Sequence, residues 1–79
     1  MQIVKFDTGG FAIHKITGGP ISHKASAWFD STGTLLDAEW FDHRNVARQV
    51  RVFPPSPTAE YLGEVGRRIA SRLRNGQPA

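Results

Sequence analysis

Three groups of side chains in this sequence could do chemistry. The first is Asp7, in the run Asp7-Thr8-Gly9-Gly10 that follows Ile3, Val4 and Phe6. A carboxylate in an exposed turn can act as a general acid or base. The second group is His14 and His23, which lie opposite one another if the segments carrying them pair across Thr17–Pro20, about 5 Å apart. With Asp42 or His43 they could hold a metal ion, although no H-x-H or H-x-x-x-H spacing demands one. Edge or solvent-side histidines explain them as well, so no metal and no cofactor is expected. The third group is the arginines: Arg44, Arg48 and Arg51 in one stretch, and Arg67, Arg68, Arg72 and Arg74 in another. If these converge they form a phosphate-binding stripe whose affinity falls steeply with salt.

The D-T-G triplet resembles the signature of aspartic proteases, and Val65-Gly66-Arg67 is similar to the hydrophobic-Gly-Arg motif of the retroviral-type enzymes. The resemblance implies Asp7 as catalytic carboxylate in a homodimer. It covers about six residues, only six residues precede Asp7, and Gly10 stands where that family has Ala or Ser. A plain D-T-G-G turn accounts for the residues equally. The chain has no cysteine, which removes disulfides, thiol catalysis and the usual structural zinc sites. It has no G-x-S-x-G, no Walker-type loop and no G-x-G-x-x-G. The helix-turn-helix, zinc-finger, KH and RNP-type patterns of nucleic-acid modules are missing too. The expectation is a protein that is not an enzyme.

Charge is distributed unevenly along the 79 residues, whose net charge is +3. Residues 1–29 hold three lysines and one Asp; residues 30–42 hold Asp30, Asp37, Glu39 and Asp42 without a cation; residues 43–79 hold seven arginines and two glutamates. An acidic middle and a basic C-terminal half permit acidic-protein or nucleic-acid partners without demanding either. No apolar run approaches the ~18 residues of a membrane span. The opening M-Q-I-V-K-F-D lacks a signal-peptide layout, and with the absence of cysteine this suggests a cytoplasmic setting.

The elements that must position these residues begin with Ser56 to Gly76. Ser56 suits an N-cap, Pro57 the first helical position, and Asn75-Gly76 a stop. At about 100° per residue, Leu62, Val65, Ile69 and Leu73 form an apolar stripe, with a small stripe of Ala59, Gly63, Gly66 and Ala70 beside it. Each helical glycine costs roughly 0.8–1 kcal/mol against alanine, so the small stripe predicts close approach by another backbone or a flat ring, with Trp28 or Trp40 as candidates and a second protein or dimer mate as the alternative. Glu64 and Arg68 are spaced for an i,i+4 ion pair.

Upstream, strand-like runs cover Gln2 to Phe6, Phe11 to Ile16, Ile21 to Phe29, Leu35 to Phe41 and Val46 to Phe53, separated by turn signals. Pro54-Pro55 ends the last. Gly33 is placed for the left-handed residue of a three-residue hairpin loop. The fold class is α+β: an antiparallel meander of three or four strands with one long C-terminal helix on one face. Residues 1–76 form one domain and residues 77–79 a tail.

A regular register puts His14 opposite His23, Phe11 opposite Ser26, Trp28 opposite Leu36, and Lys24 opposite Trp40. One face then holds Phe11, Ile13, Trp28, Leu36, Ala38, Trp40, Val50 and Val52, and receives the helix. The other holds Ile16, Ile21, Ala25, Ala27, Phe29, Leu35 and Phe41. That second face is too apolar for water, which predicts burial by a partner or by a second copy, making a homodimer. The functional expectation is a non-catalytic protein docking on a protein or nucleoprotein. Phe29, Leu35, Asp37, Glu39, Trp40 and Phe41 are its contact residues, and the arginine stripe is the alternative site for nucleic acid. In scale and bareness the chain resembles the small phage- and plasmid-borne inhibitors, anti-CRISPR proteins among them; no motif carries that likeness.

Overall fold

In the computed structural model, which describes residues 1–53 and 56–76, five strands precede one helix. The strands are β1 (Gln2–Lys5), β2 (Phe11–Gly18), β3 (Ile21–Phe29), β4 (Leu35–Phe41) and β5 (Ala47–Gln49), and the helix is α1 (Pro57–Arg74). The sheet is an antiparallel meander in the order β1-β2-β3-β4-β5. This is the expected α+β architecture, with five strands where three or four were expected. The expectations for Pro54-Pro55 and for a tail at residues 77–79 fall outside the described residues.

The helix starts where its caps direct. The Ser56 hydroxyl accepts from the Ala59 amide at 3.2 Å, and the proline lies in the first turn. Both stripes are buried, with Leu62 at 0% and Ile69 at 2% exposure beside Ala59, Gly63, Gly66 and Ala70. Burying one such large side chain contributes about 1.5–3 kcal/mol. The ring against the small stripe is Phe29, not a tryptophan. A Cβ on Gly66 would run into the Phe29 ring and lie 2.9 Å from the Gly33 carbonyl oxygen. A Cβ on Gly33 would lie 2.7 Å from the Gly66 oxygen. Helix and hairpin therefore meet backbone to backbone. At the other end the Tyr61 hydroxyl donates to the Thr17 carbonyl at 3.0 Å, its ring against Gly19.

Three of the four strand connections repeat one loop. Phe6 to Gly10, Asp30 to Thr34 and Asp42 to Val46 each close through two backbone bonds around three loop residues. The third loop residue is left-handed in each case: Gly9 (φ 91°), Gly33 (φ 89°) and Asn45 (φ 61°). Asp30 and Asp42 add a carboxylate cap. Asp30 Oδ1 accepts from the Thr32 hydroxyl and from the Thr32 and Thr34 amides; Asp42 Oδ1 accepts from the Arg44 and Val46 amides.

The register is not regular, and this overturns the predicted faces. An extra residue in β2 between Ile13 and Ile16 brings Ile16 onto the same face as Ile13. Lys15 sits there with φ 58°. Another in β4 leaves Leu36 unpaired, so that Trp28 faces Asp37 while Phe29 faces Leu35. A one-residue slip moves a whole set of side chains across the sheet. Ile16, Ala25, Ala27 and Phe29 therefore join Phe11, Ile13, Ala38 and Val50 in the core under α1, with Ile21 and Leu35 partly buried against it. Trp28 and Leu36, predicted for the floor, are outside. The last strand ends at Gln49, before Val52 and Phe53.

Two stability predictions follow from the helix contact. Gly66→Ala gains helix propensity but must displace Phe29 and the Gly33 backbone, for a net loss of about 1–2 kcal/mol in urea unfolding. Gly63→Ala meets only the end of the Arg67 side chain and should stabilise by about 0.5–1 kcal/mol. The carboxylate cap predicts a pH effect. The Thr32 hydroxyl and the Thr34 amide hold Asp30 below its ordinary carboxylate range. Its contribution is present above about pH 3.9 and is lost as pH falls through the lowered value. The stability gap between wild type and Asp30→Ala should be constant near neutrality and close on acidification below that point.

Candidate functional site

The face turned away from α1 is covered by no other described element. Its residues follow from the pairs Trp28–Asp37, Ser26–Glu39 and Lys24–Phe41 between β3 and β4, together with His14 and Ala12 of β2, Gln2 and Val4 of β1, and Gln49 of β5. At its centre is half-buried Trp28, edge-on to His14 with ring centroids 6.1 Å apart and planes at 79°. His14 Nδ1 is 3.0 Å from the Ser26 hydroxyl. Ala12, paired with Val4 and Trp28, is only 1% exposed although no helix lies over it. The two rings and Val4 thus make a second, shallow apolar layer over small residues.

Carboxylates border this layer on β4. Asp37 stands directly across from Trp28 and accepts from the Ala38 amide and from the Gln49 side-chain amide. Glu39 stands across from Ser26 and Gln49. Leu36, put out of register by the bulge, is 60% exposed beside them. Further along, the Lys24 ammonium lies over the Phe41 ring at 5.4 Å from its centroid.

Of the six residues expected to touch a protein partner, Asp37, Glu39 and Phe41 lie on this face. Phe29 does not: it is 1% exposed, stacked on Phe11 with centroids 5.0 Å apart, and it is the ring that receives Gly66. Leu35 and Trp40 are partly buried on the helix side. The β4 bulge turns Phe29 and Leu35 toward the helix, whereas Trp40 lies on the helix side where a regular register also puts it. With the apolar side interior, the ground for a homodimer lapses. Trp28 and His14 belong to the open face and were missed because a regular register turned Trp28 inward and set His14 against His23.

The seven arginines do not converge. Arg44 and Arg48 are drawn onto Asp42 Oδ2 at 3.7 and 3.3 Å. The Val46 amide foremost, then the Arg44 amide and the Arg48 side chain, hold Asp42 below its ordinary carboxylate range. Arg51 is exposed just after β5. On α1, Arg67 borders a groove with Thr32, Leu35 and Phe53, whereas Arg68 and Arg72 border another with Met1, Ile16 and Tyr61. Arg74 is in the last turn. Glu64 and Arg68 do not form the expected ion pair; among the described residues both ion pairs end on Asp42.

Asp7 is exposed in the β1–β2 loop, and Gly66 of Val65-Gly66-Arg67 serves the Phe29 contact. The two halves of the protease-like pattern thus do separate structural work. His14 faces Gln2 and Ser26 rather than His23, and no metal-holding cluster of His, Asp or Glu occurs among the described residues. No described helix is long and apolar enough to cross a membrane. No known protein family, curated protein or solved structure matches this chain.

Proposed function

We propose that the chain is a non-catalytic docking module whose open sheet face binds a protein, receiving a basic side chain of that partner against Trp28 between Asp37 and Glu39. The observation that carries this reading is the pairing of a half-exposed indole with a carboxylate directly across the strand, on a face that no other described element covers. A guanidinium or ammonium over an indole face gains about 0.5–2 kcal/mol, and neighbouring carboxylates add charge-assisted hydrogen bonds. Asp37 is already fixed by two donors and Trp28 by His14, so little side-chain freedom is lost on binding. Leu36 supplies exposed apolar area at the rim. A module laid in this way on a basic surface blocks that surface, which is inhibition without chemistry and suits a small phage- or plasmid-type protein.

A second reading is carried by α1. Arg67, Arg68, Arg72 and Arg74 are exposed and make no ion pair among the described residues. They would serve a nucleic-acid accessory role through phosphate contacts.

One experiment separates the two. Tagged protein is exposed to bacterial lysate, with and without nuclease, at low and moderate salt. Wild type should retain one protein after nuclease treatment, and Trp28→Ala and Glu39→Lys should each reduce its capture about tenfold or more, as expected for central interface residues. Capture indifferent to both substitutions sinks the open-face reading. Recovery of nucleic acid that disappears with salt and with Arg68→Glu moves the function to the helix.

A further inference from the structure

A separate hollow of about 430 Å³ lies at the end of the sheet where the β2–β3 and β4–β5 turns come together. It is a shallow, open depression, with Lys15, Thr17, His23, Lys24, His43 and Asn45 all exposed. Four side chains able to carry positive charge line it: Lys15 from β2, His23 and Lys24 from β3, and His43 from the β4–β5 loop. Thr17 and Asn45 add a hydroxyl and an amide. Asp42 is its one carboxylate, and that charge is already spent: Oδ1 is held by two loop amides and Oδ2 by Arg44 and Arg48. Lys15 and Lys24 therefore leave the hollow cationic although the chain around β4 is acidic.

The backbone is irregular here and regular elsewhere along these two strands. The extra residue of β2 and a second register shift between Ile16 and Gly18 both fall at this end, so Ser22, His23 and Lys24 stand opposite Thr17 alone. Bulges at sheet edges commonly re-aim a side chain. Lys15, with φ 58°, holds a left-handed conformation that a lysine seldom adopts, and such positions gather at binding sites. Phe41 contributes a flat wall, with Lys24 over its ring.

We propose that this hollow is a binding site for an organic phosphate such as a nucleoside monophosphate. Its phosphoryl group sits among Lys15, Lys24, His23 and His43, and its organic part borders Phe41, over whose ring Lys24 lies. The site shares Lys24 and Phe41 with one end of the open face but does not include Trp28, Asp37 or Glu39.

The test is a titration of the isotope-labelled full chain, followed by NMR at constant ionic strength, with inorganic phosphate, adenosine 5′-monophosphate, adenosine and chloride. Phosphate and the monophosphate should saturably shift the signals of residues 15, 17, 23, 24, 43 and 45, with the monophosphate the tighter binder. Lys24→Ala should weaken both about tenfold, the scale of losing a charged hydrogen bond. Lys15→Ala, which could disturb the bulge, is read beside it. Trp28→Ala should leave binding unchanged. Shifts no larger than those with chloride, or shifts centred on Arg67, Arg68 and Arg72, overturn the site. Equal affinity for adenosine and the monophosphate overturns the phosphoryl assignment.

Discussion

The contact between Gly66 and the β3–β4 hairpin decides how the molecule is put together. At this point the helix backbone, the Gly33 carbonyl and the Phe29 ring occupy space that a single methyl group would claim. The approach sets which side of the sheet receives α1. It requires Phe29 to point toward the helix, which requires the β4 bulge, and the bulge in turn puts Trp28 across from Asp37 on the far side. The open face owes its composition to a packing event on the opposite face. The glycines cost helix propensity, and the close approach they allow offsets that cost.

The two sides of the sheet thereby acquire different work. The inner side is apolar and closed, with residues from every strand region from Phe11 to Val50 under the helix. The outer side is a thin layer of two rings over small residues, bordered by acid at its middle and by lysine and histidine at one end. An antiparallel sheet with one helix leaves one face for water or for a partner. The alternation of the strands, corrected by the bulges, makes that face polar enough to be exposed and aromatic enough to bind.

Much of the architecture was legible from residue types. Ser56, Pro57 and Asn75-Gly76 marked the helix ends, Gly33 marked its loop, and the turn signals marked the strand-like runs, although three or four strands were expected where five form. The faces were not legible, because they depend on register and register depends on single extra residues. A bulge occupied by glycine announces itself; one occupied by Lys15 does not, since lysine is ordinary in a strand. Leu36 misled in the same way: an apolar residue next to Leu35 reads as inward whichever of the two the sheet discards. The candidate contact residues split accordingly, with Asp37, Glu39 and Phe41 on the open face and Phe29 in the core.

The meander order carries a consequence for synthesis. Every strand pairs with its neighbour in sequence, so loop closure is cheap and the sheet can assemble hairpin by hairpin as it leaves the ribosome. Among the described residues its cover is α1, from Pro57 to Arg74. Until that last segment emerges, Phe11, Ile13, Ile16 and Phe29 are a bare apolar surface on a nascent sheet, and such surface is where aggregation starts. The core closes only when residues 57–74 dock on the sheet.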